Sequence, residues 1–147
     1  MLRGNYPAKV DEKGRLKLPN EFRASLDERY PGGRFYITSF DGQNARIYPM
    51  AEWEKLEEKL AALPSFHPTK RKLLGRTNYF GQVVEMDGQG RVLIPSVLRQ
   101  AAEMKGDVAV LGYLQYLEIW NEERLLREMQ ANPFSDDDNQ TLADLGI

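Results

Sequence analysis

The chain repeats itself, and this repeat limits what it can fold into more than any other feature of its 147 residues. Val10-Asp11-Glu12-Lys13-Gly14-Arg15-Leu16-Lys17-Leu18-Pro19 aligns without a gap, 76 residues on, with Met86-Asp87-Gly88-Gln89-Gly90-Arg91-Val92-Leu93-Ile94-Pro95. Asp, Gly, Arg and Pro recur at identical offsets with apolar residues around them. The match runs on into Arg23 and Arg99. After a four-residue shift, Ala45-Arg46-Ile47-Tyr48 corresponds to Leu117-Glu118-Ile119-Trp120. Each half is therefore one structural unit. A unit of about 45 residues buries too little surface to stand alone, so two units in one chain are expected to share one core.

Within a unit, Asp-x-x-Gly has the chemistry of a type I turn: the carboxylate bonds nearby backbone N–H groups and Gly accepts a positive φ. The flanking segments Tyr6 to Val10 and Arg15 to Leu18, and their counterparts Gln82 to Met86 and Arg91 to Ile94, are short and rich in apolar or β-branched residues. They read as paired strands of a hairpin. Pro19 and Pro95 break the second strand, and Asn20 to Leu26 and Ser96 to Ala102 fit a short helix with Asn or Ser available as N-cap. A second hairpin follows in each half, Phe35 to Ser39 with Ala45 to Tyr48 around Asp41-Gly42, and Val108 to Leu111 with Leu117 to Trp120 around Gly112. Each unit thus reads β-β-α-β-β. Trp53, Leu56, Leu60 and Leu63 fall at helical spacing over Met50 to Leu63, as do Leu125, Leu126 and Met129 over Asn121 to Met129. The expected fold is α+β: two repeats whose hairpins interlock in one pseudo-twofold barrel flanked by helices. The expected units are residues 5–50 and 79–122, a connecting helix and basic linker over 51–78, and a C-terminal helix with an acidic, disordered tail over 123–147.

Charge is divided unevenly. The formal net charge is −2, but residues 1 to 76 carry 15 Lys/Arg against 10 Asp/Glu, whereas residues 77 to 147 carry 5 against 12. Distribution decides what a surface attracts. The basic half is compatible with nucleic acid, and the acidity of Asp136, Asp137, Asp138 and Asp144 sits apart from it. With no cysteine and a single histidine there is neither a disulfide framework nor a thiolate or His-cluster metal site. No Gly-rich phosphate loop, nucleophile elbow or metal-ligand spacing occurs. The acidic pairs Glu57-Glu58 and Glu122-Glu123 fall on helix surfaces. The reading is therefore of a protein without a catalytic constellation, cofactor or small-molecule substrate. No apolar run reaches the roughly 20 residues of a membrane span, and the start lacks the apolar stretch of a secretory signal, so a cytoplasmic location is expected.

The Asp-x-x-x-Arg tips carry the sharpest signal. A single one is ordinarily a turn with a solvated Arg. Turn chemistry, however, gives no reason to reuse Arg one residue after Gly in both halves. An Arg there offers a planar fork of donors suited to phosphates or to guanine O6 and N7. The first tip, with Lys9, Lys13 and Lys17 beside Arg15, is the stronger candidate. The second, with neutral Gln89 and acidic Glu85, suits a DNA contact and a purely structural hairpin equally. The run Lys70-Arg71-Lys72 reads as a solvated face, His67 as neither ligand nor base, and Trp53 and Trp120 as core or interface anchors.

The ordered set of motifs resembles the MraZ family, bacterial relatives of the AbrB, SpoVT and MazE swapped-hairpin proteins. The resemblance runs from Leu2-Arg3-Gly4 through Asp11 to Pro19, Tyr48-Pro49-Met50-Ala51-Glu52-Trp53 and Met86 to Arg99, up to Glu118-Ile119-Trp120. It implies a swapped-hairpin (double-split) barrel of two AbrB-like halves and a ring-shaped homo-oligomer, octameric or dodecameric. It further implies a nucleoid-associated transcriptional regulator, typically a repressor of its own division and cell-wall operon, acting on direct repeats in double-stranded promoter DNA. Carried over residue by residue, Asp11 with Arg15 and Asp87 with Arg91 match the two motifs, the Asp orienting each tip. Lys13, Gly14, Lys17 and Arg3 join them as expected DNA contacts, with backbone at Gly14 entering a groove. The other reading is an antidote-type interaction module that shares this barrel and neutralises a partner protein through its tail, where Phe134, Leu142, Leu145 and Ile147 are sparse anchors.

Overall fold

The computed structural model describes residues 1–147. The first half comprises β1 (Asn5–Val10), β2 (Arg15–Lys17), α1 (Asn20–Arg29), β3 (Arg34–Thr38) and β4 (Ala45–Pro49), followed by α2 (Met50–Ala61) and α3 (Pro68–Tyr79). The second comprises β5 (Gln82–Glu85), β6 (Arg91–Leu93), α4 (Ser96–Ala101), β7 (Gly106–Tyr113) and β8 (Tyr116–Asn121), followed by α5 (Glu122–Ala131) and α6 (Asp136–Asp144). The order β-β-α-β-β occurs twice.

The strands form one antiparallel eight-stranded sheet in the order β5-β3-β4-β8-β7-β1-β2-β6. The tip hairpins are forks rather than ladders. Arms β1 and β2 pair only at Val10 opposite Leu16, and then part. β1 runs along β7, from Asn5 opposite Leu111 to Val10 opposite Gly106, and β2 runs along β6. In return β5 crosses to β3, with Arg34 opposite Glu85. A two-stranded hairpin is at best marginal in water, and opening each one lets its apolar face find the other half. The two outermost strands, β5 and β6, are themselves joined by the second tip, where the Asp87 N–H donates to the Arg91 carbonyl at 2.9 Å. The sheet thus nearly closes into a swapped-hairpin barrel.

Alternation along the strands fills the barrel from both halves. Leu16, Leu18, Ile37 and Ile47 meet Val92, Ile94, Val110, Leu117 and Ile119 inside, and Phe22, Leu26, Leu98 and Ala102 close the barrel from the helices. Burial of each large aliphatic side chain contributes about 1.5–3 kcal/mol, so neither half retains its core without the other. A smaller cluster lies outside the barrel: Trp53 of α2 stacks on Tyr36 with ring centroids 4.6 Å apart and packs against Tyr48 at 5.1 Å. Trp53 is thus a buried anchor. Trp120 is half-buried and donates its Nε1–H to Glu118 at 2.8 Å.

Expectations change at the two helix caps, at Gly112 and in the tail. Asn20 and Ser96 do not cap their helices: Pro19 and Pro95 occupy that position without a side-chain bond, and their ring-restricted φ of −54° and −53° leads the chain into the first turn. Most of the linker is α3, capped by His67, whose Nδ1 accepts the Thr69 N–H at 3.2 Å. Tyr36 and Thr38 hold α3 to β3 by donating to the Thr77 carbonyl at 2.9 and 2.7 Å. Gly112 is not a turn. It lies within β7, where a Cβ would strike the backbone of Arg3, and the reversal comes at Leu114 and Gln115. The tail is not disordered over 136–144. Ser135 and Asp138 form a reciprocal capping box, and three Asp in the first turn complement the helix dipole of α6.

Candidate nucleic-acid interface

Both tips are built by one carboxylate acting on three N–H groups. At the first, Asp11 Oδ1 accepts from the Lys13 and Arg15 backbone N–H groups at 3.0 and 2.9 Å, and Oδ2 accepts from Arg15 Nε at 2.8 Å. At the second, Asp87 accepts from Gln89 N, Arg91 N and Arg91 Nε, each at 2.9 Å. A local Asx turn thereby also aims a guanidinium. The tether uses Nε, which leaves the Nη1 and Nη2 pair of each Arg without a partner inside the chain. The backbone bond from Arg15, followed by its side-chain bond and charge, lowers the Asp11 pKa despite desolvation. The same causes, led by the Arg91 backbone bond, bring Asp87 down to about 2. Both carboxylates are ionised at neutral pH, as the tethers require.

The fold brings the two tips into one surface. β2 and β6 lie antiparallel, with Arg15 opposite Leu93 and Lys17 opposite Arg91. Leu16 and Val92 point into the core, so Arg15, Lys17, Arg91 and Leu93 form the outward row of a two-stranded ribbon. Arg15 and Arg91 are diagonal neighbours across it, a separation of about 7–8 Å between Cα atoms. Lys13 is exposed at the first tip, while Gln89 takes its place at the second and Glu85 lies on β5.

Two candidates lie outside this exposed row. Gly14 is buried: its N–H donates to Asp11 O at 2.9 Å, its carbonyl accepts the Ile94 N–H at 3.0 Å, and the Arg99 guanidinium lies on its Cα. Its backbone is therefore not free to enter a groove, and its part is to permit the turn, at φ +85°. Arg3 is exposed but sits beside Gly112 beyond the opposite end of β1, about 20 Å from the tip at roughly 3.3 Å per residue. The Lys70-Arg71-Lys72 run lies on α3, where Lys70 Nζ donates to the Leu63 carbonyl at 2.9 Å. Sequence reasoning left out Arg23 and Arg99, which reach the tips through space. Their recurrence eight residues after Arg15 and Arg91 is the signal that marks them. No helix is long and apolar enough to cross a membrane.

The fold and its paired tips define a class: a swapped-hairpin barrel assembled from a duplicated Asp–Arg hairpin unit. A family model described as "MraZ protein, putative antitoxin-like" matches residues 1–76 and 81–145. The chain is 57% identical over 147 residues, the full length of both chains, to the transcriptional regulator MraZ of Koribacter versatilis. It is 54% identical, again over the full length of both, to that of Acidobacterium capsulatum. To that of Thiobacillus denitrificans it is 38% identical over 136 residues, 92% of this chain and 91% of the relative. The chain belongs to the MraZ family.

Proposed function

We propose that the chain is a DNA-binding transcriptional regulator that places its β2–β6 ribbon against double-stranded DNA. The observation that carries this reading is the outward row of Arg15, Lys17 and Arg91, with both guanidiniums tethered through Nε and their Nη pairs free. The B-DNA major groove, about 12 Å wide, admits a two-stranded ribbon, and an Arg fork matches either guanine O6 and N7 or phosphate oxygens. Lys13 and Lys17 add sequence-independent attraction. The names of the relatives support regulation of transcription. No catalytic step is assigned, and the site of action is the cytoplasm, at the nucleoid.

One ribbon neutralises only a few phosphates, each contributing about 0.9 to the salt dependence of binding, and so binds weakly at physiological salt. A ring of copies engaging direct repeats in the promoter of its own division and cell-wall operon raises avidity by about 10²–10⁴ without any new type of contact. The reading therefore includes a ring-shaped homo-oligomer acting as a repressor. A second reading, an antidote-type module that neutralises a partner protein, draws on the antitoxin-like family description and on Phe134, Leu145 and Ile147, which α6 leaves exposed.

Fluorescence anisotropy with the DNA upstream of the chain's own gene, scrambled DNA as competitor and a salt series tests the choice. Binding that survives competition and falls when one repeat is deleted supports the operator-reading ring. Binding equal to that of scrambled DNA removes it and leaves the protein-partner reading.

A further inference from the structure

The tip of a hairpin is ordinarily its most exposed part, yet both tip glycines before the arginines, Gly14 and Gly90, are buried. Each is roofed by an arginine from the opposite half. A Cβ on Gly14 would fall within the Arg99 guanidinium, and one on Gly90 would lie 2.8 Å from Arg23 Nη1. Arg99 Nε donates to the Ile94 carbonyl at 2.9 Å, and the Ile94 N–H donates to the Gly14 carbonyl at 3.0 Å. Tip, strand end and guanidinium thus form a closed circuit of contacts. The mirror circuit has the Leu18 N–H on the Gly90 carbonyl at 2.9 Å and Arg23 Nη2 on the Gly88 carbonyl at 3.4 Å. Neither arginine is needed for the turns, which Asp and Gly build alone. A planar, permanently charged guanidinium on a rigid helix can lie flat on a peptide and hold it.

We propose that Arg99 and Arg23 are positioning residues, each clamping the arginine tip of the opposite half, so that Arg15 and Arg91 are each held against the other half and do not move as free loops. Its consequence for DNA rests on the reading above, whereas the clamp itself is measurable without DNA.

Native-state hydrogen exchange on the full-length protein tests it, with Arg99→Ala and, in case that variant is poorly folded, Arg99→Met, which keeps an apolar stem. The Gly14 and Ile94 amides are expected to exchange about tenfold faster while Gly90 and Leu18 stay within about twofold, and Arg23→Ala is expected to do the reverse. No change at Gly14 and Ile94, or an equal rise at both tips, overturns the clamp. On DNA, the double variant Arg15→Ala with Arg99→Ala is expected to bind no more weakly than Arg15→Ala alone. Additive losses, with the salt slope falling by a further ~0.9, would instead make Arg99 a separate phosphate contact and overturn its positioning role. The exchange pattern in the variants, together with no specific DNA binding by the wild-type protein, would sink the regulator reading and leave the clamp standing.

Discussion

The two tips share one geometry and differ in what surrounds it. Asp11 and Asp87 hold their turns and guanidiniums through the same three bonds, within 0.1 Å of each other. The first tip carries Glu12 and Lys13 with Lys9 on the strand before it, the second Gly88 and Gln89 with Glu85 on the strand before it. Across the ribbon Lys17 faces Arg91, while the exposed apolar Leu93 faces Arg15. The clamps differ as well: Arg99 is anchored by a 2.9 Å bond, whereas Arg23 makes a 3.4 Å bond and a loose 3.9 Å ion pair with Asp27. Turn geometry and ligand attraction are therefore separable properties of one motif. Duplication retained the first and left the second free to diverge.

The largest effect is expected at the glycines. Gly14→Ala puts a Cβ at φ +85° into Arg99 and is expected to cost about 1–3 kcal/mol of stability, with Gly90→Ala, against the looser Arg23, costing less; urea titration checks the order. Next come the arginines. If the ribbon binds DNA as proposed, Arg15→Ala is expected to weaken specific binding by about 1–3 kcal/mol and Arg91→Ala by about 1 kcal/mol or less, measured by anisotropy. Equal losses would erase the electrostatic distinction between the tips. A gain is expected from Gln89→Lys, which gives the second tip the first tip's cation: affinity should rise severalfold and the salt slope steepen by up to about 0.9.

The smallest effect lies in pH. Asp87 is held down to about 2, so its tether is complete above its ordinary 3.8 and is lost as pH falls through about 2. The Arg91 Nε–H resonance should therefore persist in acid and broaden only below that window. Asp11 is lowered by the same causes, and its tether should likewise outlast an ordinary carboxylate.

What is local in this molecule was legible from its residues, and what is made through space was not. Asp, Gly, Arg and Pro at repeated offsets announce the turns and the strand ends, and Trp53, Leu56 and Leu60 announce α2, because each signal involves neighbours within a few residues. The partners of β1 and β2 depend on which arms bury Leu16 and Val92 together, and no short window contains that choice. Gly112 reads as a turn because glycine serves turns and close approaches alike. Only the path of Arg3 across β7 distinguishes them. The tail was misread on composition: three consecutive Asp suggest solvation, yet with Ser135 ahead of them they are also a helix start. Of the site, the Asp–Arg pairs and Lys17 were readable. The diagonal that joins Arg15 to Arg91, and the arginines that roof Gly14 and Gly90, exist only once the halves have interlocked.

The interlocking also sets a schedule for synthesis. β1 leaves the ribosome long before β7, the strand it runs along from Asn5 opposite Leu111 to Val10 opposite Gly106. At about 5–20 residues per second, the N-terminal strand waits some seconds as an unpaired edge before β7 emerges to cover it. Lys9, exposed on that strand, and Pro7, which cannot donate to a foreign ladder, are the kinds of residue that discourage mispairing during the wait. The barrel thus closes only after β7 has emerged, and a chain cut short between the two halves has a first strand without β7 to run along.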